Sequence, residues 1–254
     1  MMLFFYSFSF FFIITLNAFA IPQNPLIDCN TYLSPNDLNR TINLNKIEAE
    51  DSSIDKFQDL FTKTSLSEAE ILNAIERRQN DINKILKHVS NDVQKSKKLH
   101  EAIKYYSIWY DQINIPLRSN KSPTGIAGKH YKILSSSTFK DLPRVEGIVF
   151  RATILKNEIF QKILQDKVYL DLGYLSASLK PQSALAYIDN IGKLEESENV
   201  LMLIQSSNGR YIAPLSELPK EEEVLFSSGT KFALQKVISQ EKETRFKILL
   251  FREL

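Results

Sequence analysis

The sequence predicts an α+β fold, and three observations carry that reading. Apolar residues at helical spacing come first, between about Ser65 and Ile113. Strand-like runs follow after Pro143. Helices first and strands afterwards segregate into an α+β arrangement. The chain has 254 residues, 43% apolar and 24% charged, which is enough material to bury a core.

The elements read in order as follows. Residues 1–20 carry no charged side chain and end in Asn17-Ala18-Phe19-Ala20, a small-x-small pattern before Ile21. This reads as a secretory signal peptide, so the chain is expected to be secreted and its mature part to lack a stable membrane span. An uncleaved anchor is the alternative, because the length is near the lower limit for a span. Residues 21–60 are polar with scattered Pro and Asn, and read as an arm or short lead-in elements. Cys29, the single cysteine, excludes an intramolecular disulfide and has no accompanying His motif. Residues 61–254 are expected to form the functional domain.

Ser65-x-x-Glu68 has the form of a capping box. Ile71, Ile75, Ile82, Ile85, Leu86, Val89 and Val93 then recur at helical spacing. A second helix is expected from Lys97 to Ile113, stopping before Pro116. Its stripe of Tyr105, Tyr106, Trp109 and Tyr110 would ordinarily be core. Gly147 to Ile154 reads as a strand with Arg151 inside it, and Lys156 to Leu164 as a short helix. Val168–Leu172 and Tyr174–Leu179 read as strands, and Asn199–Gln205 as a buried strand closed by a Ser207-Asn208-Gly209 turn. Glu221–Phe226, Phe232–Ser239 and Thr244–Phe251 complete the set.

Several function classes fall away. Net charge is +2, without a basic stripe, so no nucleic-acid partner is expected. Gly is scarce at 7 residues, and neither GxGxxG nor a P-loop occurs. His88, His100 and His130 lack ligand spacing, so no metal is expected.

Four short pieces carry chemistry. Arg151 lies in an apolar strand, where a guanidinium needs a partner; a phosphate would serve, and an edge position is the alternative. Ser176 and Ser178 of Tyr174-Leu175-Ser176-Ala177-Ser178 share one strand face. In Glu221-Glu222-Glu223 the same alternation puts Glu221 and Glu223 on one face and Glu222 on the other. Read alone, that run is more often a solvated acidic turn leading into a strand. Tyr106, Asn114 and Arg118 lie along the second helix and its exit, where the latter two could cap or reach a ligand.

In this order the pieces resemble the mono-ADP-ribosyltransferases whose active site is summarised as Arg, Ser-x-Ser and Glu-x-Glu. That group includes the enzymatic components of binary toxins and the vertebrate ecto-ADP-ribosyltransferases. The resemblance runs from about Glu101 to Leu234, through Tyr106 to Arg118, Phe150-Arg151, Tyr174 to Ser178, and Leu215-Ser216-x-x-Pro219-x-Glu221-x-Glu223 to Phe232. Two positions depart from the pattern: Ala152 stands for the usual glycine and Ala177 for the usual threonine.

The resemblance implies an N-terminal helical lobe followed by a two-sheet, mostly antiparallel β core with an NAD cleft. It implies cleavage of NAD, used as substrate, and transfer of ADP-ribose to an arginine of a target protein, releasing nicotinamide. Glu223 would stabilise charge building on the ribose, as in glycoside hydrolysis. Arg151 and Arg118 would hold the pyrophosphate, and Ala152 would offer its backbone to the nicotinamide amide. Ser176 would orient Glu223 or the ribose, Glu221 would engage the incoming arginine, and Tyr106 and Asn114 would help bind NAD. An NAD glycohydrolase on the same site and a non-catalytic secreted binding domain are the alternatives, and a delivery partner is left open.

Overall fold

The structure, a computed structural model, describes residues 41–51, 67–89, 97–191, 194–238 and 246–254. The leader, Cys29, Val93 and the 240–243 turn lie outside these residues. Within the stretch read as an arm or lead-in, Thr41–Asn43 forms strand β1 and Leu44–Glu50 helix α1.

Helix α2 spans Glu68–His88. Its capping box is Ser67 with Glu70, whose carboxylate accepts from the Ser67 amide at 2.7 Å while the Ser67 hydroxyl accepts from the Glu70 amide at 3.3 Å. The sequence expectation of Ser65 and Glu68 is therefore corrected by two residues. Both pairs fit the pattern; Ser65 lies outside the described residues, and in the helix that starts at Glu68 it is Ile71, Ala74, Ile75, Ile82 and Ile85 that are buried. On the same face, fully buried Arg78 pairs with buried Glu48 of α1 and donates to the Ile148 carbonyl at 3.2 Å. That ion pair ties both helices to the sheet.

Helix α3 spans Lys97–Arg118 and does not stop before Pro116. The helical turns break instead at Trp109 (φ −116°, ψ 31°), and a second segment runs on through the proline. Pro116 lacks an N–H but still offers its carbonyl, which accepts from Ser119 and Lys121. The aromatic stripe is only partly core: Tyr106 is 2% exposed, whereas Trp109 is 51% and Tyr110 41% exposed. Two helices not read from the sequence, α4 (Gly125–Leu134) and α5 (Ser137–Lys140), pack under α3 around Tyr174.

Among the described residues eight strands follow the order β1-β2-β4-β6-β5-β8-β7-β3. They are β2 (Arg144–Lys156), β3 (Val168–Leu170), β4 (Leu175–Ser178), β5 (Ser197–Tyr211), β6 (Glu223–Phe226), β7 (Lys231–Ile238) and β8 (Lys247–Glu253), after β1. Only β1–β2 and β5–β8 are parallel. Long β2 and β5 pair with each other from Arg144↔Arg210 to Lys156↔Ser197. Short β4 pairs with β2, short β6 with β5, and β4 with β6, so these four strands close on one another. Helices α6 (Asn157–Asp166) and α7 (Pro181–Ile191) follow β2 and β4.

The turn expected at Ser207-Asn208-Gly209 is absent; β5 continues through it. The Glu253 carboxylate accepts the Ser207 and Asn208 amides, and Ser206 Oγ accepts the Gly209 amide. These contacts satisfy turn-prone residues inside a strand that is bulged opposite Gly147 (φ +125°).

Candidate active site

All eight residues nominated from the sequence line one cleft of about 710 Å³: Tyr106, Asn114, Arg118, Arg151, Ala152, Ser176, Glu221 and Glu223. The size suits a small-molecule site. Strand β2 forms its floor with Arg151 and Ala152, and α3 supplies one wall. Tyr106 before the break at Trp109 and Tyr110, Asn114 and Arg118 after it all line the cleft, the last three at four-residue helical spacing.

At the centre, Ser176 Oγ of β4 donates to Glu223 Oε1 of β6 at 2.5 Å. Glu223 is only 5% exposed. Burial pushes its carboxyl up to about 7; the Ser176 hydrogen bond opposes this, nearby Glu221 adds to it, and Arg151 draws it down. A buried carboxyl that titrates near neutrality beside a guanidinium suits chemistry in which positive charge develops.

Arg151 reaches across from β2 and donates from Nη1 to the Ser176 carbonyl at 2.6 Å. Its buried Nε has no partner among the described residues. An unpaired donor on a guanidinium that lines the cleft is a feature an anionic ligand would satisfy.

Arg118 is already engaged. Its Nε and Nη2 donate to the two oxygens of Asp171 at 2.9 and 2.8 Å. Asp171 also accepts the Gly173 amide at 2.9 Å. Burial would raise the Asp171 carboxyl, but Arg118 outweighs it and the carboxyl lies below its ordinary value. Sequence reasoning missed Asp171. The signal that could have found it is Asp171-Leu172-Gly173, an Asx-turn spacing directly before the serine motif.

Asn114 brackets the backbone of Tyr174 rather than capping a helix. Its amide donates to the Tyr174 carbonyl at 3.1 Å and accepts the Tyr174 amide at 2.8 Å. A Cβ on Gly173 would come within 2.8 Å of the Asn114 amide oxygen, so glycine is needed for this close approach. The Tyr106 hydroxyl joins the bracket through Asn114 at 3.1 Å. Burial raises the Tyr106 phenol, so it stays protonated. Together these contacts hold the start of β4, and hence Ser176, against α3.

The acidic run is not one strand. Pro219–Glu221 is a 3-10 turn, Glu222 is left-handed (φ 51°, ψ 49°), and β6 begins only at Glu223. Proline starts the turn because it has no N–H for a ladder. Ser178 Oγ donates to the Glu221 carbonyl at 2.5 Å and so removes that group from strand pairing. Glu221 still lines the cleft with Glu223, as expected, but through the turn and not by alternation. Burial raises the Glu221 carboxyl as well. Glu222 is absent from the cleft lining, yet it is not solvated: the Tyr211 hydroxyl donates to it and Lys180 Nζ lies 3.6 Å away.

Among the described residues no group of three or more His, Cys, Asp or Glu is arranged to hold a metal, and no helix is long and apolar enough to cross a membrane.

The chain is 28% identical over 144 residues to Vis of Vibrio splendidus, described as an NAD(+)–arginine ADP-ribosyltransferase. That alignment covers 54% of this chain and 58% of Vis, so the chain spans a little over half the length of that relative. The crystal structure of Vis in complex with agmatine is similar at a TM-score of 0.55 and 22% identity, covering 77% of this chain and 90% of that one. The C3 exoenzyme of Clostridium limosum is similar at a TM-score of 0.50 and 17% identity, covering 76% of this chain and 99% of that one. A family model for the ADP-ribosyltransferase exoenzyme matches residues 53–253. With a match over that much of its length, the chain belongs to the ADP-ribosyltransferase exoenzyme family.

Proposed function

We propose that the protein cleaves NAD and transfers its ADP-ribose to an arginine side chain of a target protein. The observation that carries this reading is the buried Ser176–Glu223 hydrogen bond in a cleft that also holds Arg151 with an unpaired Nε. In the reaction the bond between nicotinamide and the ribose anomeric carbon breaks. Nicotinamide leaves with the electron pair, which neutralises its ring, and positive charge builds on the ribose. Glu223, held by Ser176, stabilises that charge beside the ribose hydroxyl. Arg151 takes the pyrophosphate on its free donor, and Arg118, oriented by Asp171, adds a second cation. Ala152 meets the nicotinamide amide through its backbone, and Tyr106 and Asn114 hold the wall against which NAD lies.

The arginine guanidinium then forms the new C–N bond, and Glu221 takes up its proton. Glu221 lines the cleft beside Glu223 and supplies a second carboxylate on the acceptor side, placed to engage a guanidinium and take its proton. Arginine as acceptor is also supported by Vis, whose crystal structure holds agmatine, a guanidinium compound. The charge-free leader ending at Ala20 supports secretion of the mature chain from Ile21.

The test is nicotinamide release from NAD beside label transfer to agmatine, for the wild type and for Glu221→Gln. The wild type should do both. The variant should lose transfer and keep hydrolysis. Wild-type hydrolysis with no transfer to any guanidinium acceptor would overturn the arginine reading.

A further inference from the structure

The middle residue of the acidic run has a structural setting of its own. Glu222 is one of four non-glycine residues at positive φ among those described, and it sits between the two glutamates that line the cleft. A left-handed glutamate is costly and persists only where its surroundings hold it. Here they do so on three sides. The Tyr211 phenol, 3% exposed on β5, donates to one carboxylate oxygen of Glu222. Lys180 Nζ lies 3.6 Å from the other oxygen and donates to the Lys220 carbonyl at 3.2 Å. The Glu222 carbonyl accepts the Leu179 amide at 3.0 Å. The Glu222 side chain is 13% exposed and that of Lys180 21%, so water screens these contacts little.

We propose that Glu222 is a positioning residue for Glu221: the Tyr211–Glu222–Lys180 clamp pins the 219–222 turn from behind and so sets where the acceptor-side carboxylate stands. The inference rests on the reading of Glu221 as the residue that receives the arginine. Glu223 depends on the clamp much less. It is seated independently, by the β4–β6 ladder through Ser178 and by Ser176. Loosening the clamp therefore affects the acceptor half of the reaction and spares the NAD half.

Two variants test this. Tyr211→Phe keeps the buried ring and removes the phenol donor. Glu222→Gly relieves the backbone cost, since glycine adopts positive φ freely, and removes the pin. Each should lower transfer to agmatine roughly tenfold, the equivalent of one charge-assisted hydrogen bond, with a raised KM for agmatine. NAD hydrolysis without acceptor and the KM for NAD should stay within about twofold, which also reports that the variants are folded. If Glu222 is only a turn residue, Glu222→Gly keeps transfer at the wild-type level, and the proposal fails. Transfer and hydrolysis falling together in both variants overturns it too. Wild-type protein that transfers to no guanidinium acceptor removes the underlying reading and the proposal with it, an outcome distinct from either of these.

Discussion

Ser176 and Glu223 meet across the β4–β6 ladder, two residues out of direct register. Ser178 is the residue that pairs with Glu223, while the Ser176 hydroxyl reaches the Glu223 carboxylate at 2.5 Å. The serine donates to the ionised form of a carboxyl that burial would otherwise keep neutral. The two effects compete, and burial wins, because the carboxyl stands at about 7 against an ordinary 4.5.

The first prediction follows from the sign of that shift. A carboxyl raised in the fold leaves stability untouched below its unfolded value. Stability is then lost as pH rises from 4.5 to about 7. Glu223→Gln removes this loss. The variant should be more stable than wild type at pH 8 by up to about 3 kcal/mol, with little difference at pH 4. NAD hydrolysis and transfer should both fall about 10²–10³-fold. Urea titrations at the two pH values, beside nicotinamide release, check both halves. Equal stability of the two proteins at pH 8 would contradict a strained, buried carboxylate.

Ser176→Ala should move the same group further from its ordinary value. The lost hydrogen bond no longer favours the carboxylate, so the acid limb of kcat/KM for NAD should shift to higher pH by about one unit. A pH–rate profile from 5.5 to 9 measures it. An unmoved limb with a lower plateau would mean that Ser176 contacts only the substrate.

Arg151 offers a contrast between binding and stability. One of its donors is on the Ser176 carbonyl, and among the described residues its buried Nε has no partner. Arg151→Ala should therefore weaken NAD binding by about 1.5–3 kcal/mol, the worth of a charged hydrogen bond. Its Tm should stay within a few degrees of wild type. Calorimetric titration with NAD and a thermal melt separate the two. A much lower Tm with unchanged NAD affinity would make Arg151 a structural residue.

Asp171 titrates with the opposite sign. Its carboxyl lies below the ordinary 3.8 because Arg118 outweighs burial, so its stabilisation is complete above that value and is lost as pH falls through the lowered one. Asp171→Asn should cost about 1–3 kcal/mol at neutral pH, toward the lower end because the Arg118 side chain is 41% exposed. It should also raise the KM for NAD several-fold by releasing Arg118. Charge reversal at the pair, Arg118→Asp with Asp171→Arg, should recover stability and not NAD affinity. Recovery of both would place the pyrophosphate elsewhere.

The sequence alone determined which side chains are available and which elements carry them. The apolar run around Arg151 and the apolar tail after Glu223 are short continuous apolar runs, and the paired serines are a local pattern of period two. The folded chain keeps each of them as a strand, β2, β4 and β6. Their order along the chain was enough to identify the family and the residues that line one cleft. Where prediction rested on local punctuation it went astray. Pro116 did not end α3, Ser207-Asn208-Gly209 did not end β5, and the glutamates were not one strand. In the last two cases partners distant in sequence satisfied the backbone, Glu253 beneath β5 and Ser178 beneath the turn, whereas at Pro116 the local amides of Ser119 and Lys121 did so. Only the tertiary structure decided that Arg118 is held by Asp171, 53 residues away, and that Glu222 is pinned by Tyr211 on a neighbouring strand. A residue's own periodicity reports which face it occupies, but not which donor the sheet brings opposite it. That pairing is set by register between strands and by burial, and burial is also what raises Glu223 and gives the unpaired nitrogen of Arg151 its meaning.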